Sequence, residues 1–229
     1  MKRIEVLDVW RSLAVFIMLL YHALYDLALF GVFDMSLFDT AALEITEFIG
    51  SCLFVILGGA TASLSRDKIR RGFRIFCIGF AVSLVMSFMG MAVKFGALQF
   101  FGVAFIVYGL ADKRWECPTR TVFPAVCAVL FFASYAATKL IELPFDWLYP
   151  FGFHSSEFYS ADYYPVLPWI FQFALGAWLG LRLRARAENG HEMRRFPPAL
   201  VFLGRRSLLI YILHQPIFYG ICILIFGRK

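Results

Sequence analysis

The feature that most constrains this chain is a series of apolar stretches separated by short polar links, each close to the roughly 20 residues that a helix needs to cross a bilayer. They lie at about 8–30, 45–64, 75–93, 96–111, 121–141, 165–183 and 207–226. Hydrocarbon offers no partner to an unpaired backbone N–H or C=O, so spans of this kind are expected to be helical. With 61% hydrophobic residues over 229 positions and a mean hydropathy of +0.72, an ordinary soluble domain is excluded. The expectation is an all-α polytopic membrane protein with about seven transmembrane helices, forming a single domain over 1–229. Basic residues ahead of the first apolar run resemble a signal peptide, but Arg11 and His22 interrupt the run. No small-residue cleavage site follows before Asp34, so the run reads as the first span.

A net charge of +6 and a pI near 9.2 could suggest nucleic acid, but the placement of the basic residues gives a different reading. The N-terminus and the links after the second, fourth and sixth spans hold Lys2, Arg3, Arg66, Lys68, Arg70, Arg71, Arg74, Lys113, Arg114, Arg120, Arg182, Arg184, Arg186, Arg194, Arg195, Arg205 and Arg206. These are 17 of the 22 Lys and Arg. The alternate links are acidic, carrying Asp34, Asp39 and Glu44 after the first span and Glu142, Asp146, Glu157 and Asp162 after the fifth. Cytoplasmic loops are the ones enriched in Lys and Arg, so the N-terminus is expected inside and nucleic acid is not an expected partner. The terminal Arg228 and Lys229 dissent, being placed outside by the same count. The five cysteines form no CxxC or Cys/His cluster, which argues against a disulfide framework or a structural metal. No internal repeat points to an inverted-repeat transporter.

The first span carries Asp8, Arg11, His22 and Asp26. An ionisable group at mid-bilayer costs on the order of 3 kcal/mol on insertion scales, so such residues face protein, pair, or do chemistry. Eleven helical steps return to within about 20° of the same face, so Arg11 and His22 share one side, roughly 16 Å apart along the axis. If Arg11 sits at the inner interface, His22 lies near mid-membrane with Asp26 one turn beyond. His22 could act as a base oriented by Asp26. Equally, the two could hydrogen-bond neighbouring helices. Small residues at Gly58, Gly59, Ala60, Ala62 and Ser63 suggest a close helix contact.

Five ordered segments carry a family resemblance. The run DVWRSLAVFIMLLYHALYDL, with Arg and His ten residues apart, is similar to the first helix of membrane acyltransferases that acylate extracytoplasmic sugars. CLFVILGGATASLS, FGALQFFG, DYYPVLPW and GRRSLLIYILHQP resemble, in order, segments of the bacterial branch related to heparan-alpha-glucosaminide N-acetyltransferase. The resemblance implies transfer of an acetyl or other acyl group from cytoplasmic acetyl-CoA to an extracytoplasmic glycan or amino sugar, with the protein in the bacterial inner membrane.

On that resemblance, His22 and Asp26 are the expected catalytic residues, His22 as general base or as acyl carrier. Arg11 and the basic cluster Arg70, Arg71 and Arg74 are expected at the phosphates and pantetheine of the donor. Gln99, where many bacterial relatives carry His, could bond the thioester carbonyl or an adjacent helix. His214, ahead of Pro216, is expected on the donor side, and Asp162 and Trp169 at the acceptor. No metal is expected. The expected partners are the acyl donor, the acceptor and the lipid bilayer, with a homodimer among the open oligomeric states. The rival readings are a proton-coupled transporter using His22 and Asp26, and a non-catalytic membrane subunit of an envelope-modifying system.

Overall fold

A computed structural model describes residues 4–111, 122–189 and 196–227. Several basic residues used above for orientation, among them Lys113, Arg114, Arg120, Arg194 and Arg195, lie outside the described residues, as does Cys117. Among the described residues there are eight α-helices and no β-strand: α1 Glu5–Leu29, α2 Ala41–Ser63, α3 Lys68–Phe88, α4 Ala97–Ala111, α5 Phe123–Leu140, α6 Val166–Glu188, α7 Pro198–Arg205 and α8 Ser207–Phe226. Six of them, α1, α2, α3, α5, α6 and α8, are long and apolar enough to cross a membrane. The expected fourth span is the shorter apolar α4, whose 15 residues reach only about 22 Å. Large side chains such as Phe16 (63% exposed), Phe73 (64%) and Leu224 (86%) stand outward on these helices. In water that surface would be a liability; in an integral membrane protein it is the lipid-facing side.

The chain forms two compact units, 1–54 with 186–229 and 55–185. In the first unit α1 packs against both α7 and α8. The docking of α7 depends on Gly204, where a Cβ would lie 1.8 Å from the backbone oxygen of Asp8. Ser12 Oγ donates to the Leu200 carbonyl across the same contact. Phe54 of α2 stacks on Tyr211 of α8 with ring centroids 5.4 Å apart.

In the second unit the small-residue end of α2 meets α6. A Cβ on Gly59 would lie 2.0 Å from the Phe173 carbonyl oxygen, and one on Gly176 would lie 2.0 Å from that of Ile56. Backbones this close are the usual means by which membrane helices gain contact when lipid and side chains are equally apolar. Phe173 fills the resulting core, with Phe100, Phe101, Phe105 and Tyr108 around it at ring distances of 5.7–6.4 Å. Helices α3 and α4 are likewise joined through glycines, Gly72 against the Gly102 carbonyl and Gly79 against Leu98. Leu167 is extended (φ −95°, ψ 131°), so the regular part of α6 begins after it.

Candidate active site

The sequence places an imidazole and a carboxylate one turn apart on α1; the fold sets two consecutive residues of α8 opposite them. His22 Nδ1 lies 2.9 Å from the Met18 carbonyl oxygen. A carbonyl only accepts, so Nδ1 carries the hydrogen and Nε2 of the neutral ring is left with its lone pair. His214 repeats the arrangement on α8, its Nδ1 2.6 Å from the Tyr211 carbonyl oxygen. The two imidazoles meet edge to face, with centroids 4.8 Å apart and planes at 83°. Next to His214, Gln215 Nε2 donates to Asp26 Oδ1 at 2.8 Å. Asp26 is fully buried and His214 is 7% exposed. Among the described residues, Asp26 Oδ2, His214 Nε2 and Gln215 Oε1 are buried and have no hydrogen-bond partner. Tyr21, beside His22 at 5.9 Å between rings, donates its hydroxyl to Glu47 Oε2 at 2.8 Å.

At the start of α1 the buried carboxylate of Asp8 gathers two cations. Arg11 Nη1 is 2.6 Å from Asp8 Oδ1, and Arg205 Nε, from the end of α7, is 3.8 Å from Asp8 Oδ2. Arg11 and Arg205 keep part of their side chains exposed, 20% and 46%.

The other expected residues lie in the second unit. Gln99 is engaged at both ends of its amide: Oε1 accepts from Gly96 N at 2.5 Å and Nε2 donates to Ser83 Oγ at 3.0 Å. Asp162 Oδ2 accepts from Ala97 N at 3.0 Å. Both side chains therefore satisfy backbone donors at the N-terminus of α4, where four N–H groups have no helical partner. Trp169 packs edge to face on Phe131 at 5.7 Å and lies 5.2 Å from Tyr164. Arg71 sits over the Phe105 ring at 5.5 Å, while Arg70 and Arg74 are exposed on the first turns of α3.

The acidic, aromatic stretch before α6 forms an open cleft of about 710 Å³ lined by residues 142–146 and 155–157, with Glu142, Asp146 and Glu157 as its charges. Ser155 donates its backbone N–H and hydroxyl to Asp146 Oδ1 at 2.9 and 2.7 Å, and these bonds hold the Asp146 carboxyl below the usual carboxylate range. Among the described residues no group of three His, Cys, Asp or Glu is placed to hold a metal ion.

Of the expected residues, the fold therefore brings His22, Asp26 and His214 together and places Arg11 on the same helix. Gln215, Asp8 and Arg205 join them without having been assigned roles from sequence. For Asp8 the signal was present in its three-residue spacing from Arg11; for Gln215 and Arg205 only the neighbouring residues of the final motif offered one.

A family model, described as the catalytic part of heparan-alpha-glucosaminide N-acetyltransferase, matches residues 3–216. No curated protein and no solved structure matches the chain. The family match runs through α1 to the His214–Gln215–Pro216 turn of α8 and so includes every residue of the imidazole and carboxylate cluster: the chain belongs to the heparan-alpha-glucosaminide N-acetyltransferase catalytic family, and is a membrane-embedded enzyme of the acyltransferase class.

Proposed function

We propose that this protein transfers an acetyl group from cytoplasmic acetyl-CoA to a hydroxyl or amine of an extracytoplasmic glycan or amino sugar, in the bacterial inner membrane, with its N-terminus inside. The observation that carries this reading is the state of His22: Nδ1 is committed to the Met18 carbonyl, Nε2 is left as a base, and a second imidazole stands 4.8 Å away. A base at this position takes the proton of the attacking hydroxyl or amine as its heteroatom bonds to the thioester carbonyl carbon. The carbon–sulfur bond then breaks, and the proton ends on the sulfur of the departing CoA. Asp26 Oδ2, one turn from His22 and without a partner among the described residues, is suited to accept a hydrogen from the attacking group.

At the other end of α1, the partly exposed guanidinium groups of Arg11 and Arg205 beside Asp8 are suited to the anionic nucleotide end of the donor. The roughly 16 Å rise from Arg11 to His22 is a span that an extended pantetheine arm covers. On the second unit, Arg70, Arg71 and Arg74 are our proposed phosphate contacts. Asp162 and Trp169 are proposed to shape the acceptor side, Asp162 by fixing the start of α4. The positive-inside distribution of the basic residues supports the orientation.

The test is purified protein in proteoliposomes with acetyl-CoA on one side and candidate amino sugars or glycans on the other. The expected result is acceptor-dependent thiol release and an acetylated product on the acceptor side. Proton-gradient-driven uptake of solute without thiol release would replace this reading with transport.

A further inference from the structure

The hydrogen bond between Gln215 and Asp26 joins residues 189 positions apart and has features that a simple fastener between helices lacks. An amide has donors only on nitrogen and a carboxylate only accepts, so the contact from Nε2 to Oδ1 at 2.8 Å fixes which way round Gln215 lies. It also fixes the carboxylate. The terminal torsion of an aspartate is broad, so a single strong bond to one oxygen decides where the other points. That other oxygen, Asp26 Oδ2, is buried and has no partner among the described residues, and the same holds for Gln215 Oε1 and for Nε2 of the adjacent His214. Buried polar atoms are nearly always paired, and exceptions call for a role. Here the three unpaired atoms are all acceptors, and the consecutive pair His214 and Gln215 addresses His22 and Asp26, which are one turn apart on α1.

We propose that Gln215 is a positioning residue for the transfer reaction: it holds the Asp26 carboxylate through Oδ1 so that Oδ2 stays directed at the attacking group beside His22. This inference rests on the acyltransferase reading. It assigns Gln215 no contact with the donor, and its effect runs through Asp26 alone.

The experiment is a double-mutant cycle on thiol release from acetyl-CoA, using Gln215→Met, Asp26→Asn and the pair, each purified in detergent and shown folded by its melting curve. Methionine keeps the length of glutamine and removes the hydrogen bond. The expected result is a fall in kcat of about tenfold to a hundredfold for Gln215→Met, the scale of a misplaced reacting group, with KM for acetyl-CoA unchanged. In the Asp26→Asn background the same substitution should cost nothing further, because the residue it acts through is already altered.

Gln215→Leu provides a second variant, since an alkyl side chain cannot donate to Asp26, and it should lower kcat at least as much. Wild-type kcat in either folded variant overturns the proposal, and so does a loss that adds fully to that of Asp26→Asn. If neither variant accumulates as folded protein, the pair is a fastener and the proposal is again overturned. Absence of thiol release from the unaltered protein with every acceptor is a separate result, and it removes the acyltransferase reading itself.

Discussion

His214 of α8 presents its ring to His22 of α1 at 4.8 Å and 83°, and each ring has its Nδ1 on a backbone carbonyl of its own helix. In the neutral state both rings therefore keep Nε2 unprotonated, and two helices far apart in sequence hold them in contact.

The first prediction concerns this pair. His22→Ala should lower kcat for thiol release by about 10²- to 10⁴-fold, the usual contribution of a positioned general base. His214→Phe keeps a ring in edge contact but removes both nitrogens, and with them the bond to the Tyr211 carbonyl, so a loss of kcat reports chemistry where the fold is kept. A substantial fall in kcat is expected, with the melting temperature in detergent kept. An unimpaired His214→Phe enzyme would reduce His214 to a packing partner of His22.

The second prediction separates the two arginines at Asp8. Arg11 is closely paired at 2.6 Å and mostly buried, whereas Arg205 is at 3.8 Å and nearly half exposed. Removing the close partner of a buried carboxylate costs up to about 3–5 kcal/mol, the upper end applying where the charge is left with no other partner. An exposed pair contributes at most about 1 kcal/mol. Arg11→Met should therefore lower the unfolding midpoint far more than Arg205→Met. Donor affinity should fall in both if these guanidinium groups hold the nucleotide, and binding of CoA measured by calorimetry checks that second half.

The membrane class and the long helices were legible because a bilayer imposes a length that composition alone reveals. The short α7 was not, since its five apolar residues ALVFL between Pro198 and Gly204 lie in a stretch dominated by arginines. Spacing within α1 put His22 and Asp26 on one face, but spacing says nothing of partners on another helix. The fold supplied Gln215 and gave His214 its place beside His22. Gln99 and Asp162 show the same limit. Their residue types suit ligand contacts, and only the three-dimensional start of α4 reveals the backbone donors that they meet.

The third prediction concerns the cleft before α6. The two bonds from Ser155 hold the Asp146 carboxyl below its ordinary range, so the folded value lies under the unfolded one. A depressed carboxylate contributes stability that is present above its unfolded pKa and is lost as pH falls through the folded value. The Ser155 backbone N–H should therefore be protected from hydrogen exchange near neutrality and lose protection in acid. Asp146→Asn should weaken that protection at neutral pH and flatten its dependence on acid. Equal protection in the two proteins at every pH would show that the loop is held by other contacts.

The fourth prediction uses the glycines as an internal control. At Gly59 and Gly176 a methyl group would lie 2.0 Å from a backbone oxygen of the facing helix, so neither neighbour can yield by rotating a side chain. At Gly220, also within a helix, nothing lies within 4 Å of the added atom. Alanine at Gly59 or Gly176 must push α2 and α6 apart, at a cost of at least the 1–3 kcal/mol typical of overpacking, about enough to shift the unfolding midpoint by several degrees. Alanine at Gly220 should be neutral, or stabilising by up to about 1 kcal/mol from the better helix propensity. Melting curves of the three variants in one detergent provide the comparison. A Gly59→Ala protein as stable as Gly220→Ala would mean that the α2–α6 backbone contact is looser than the structure has it.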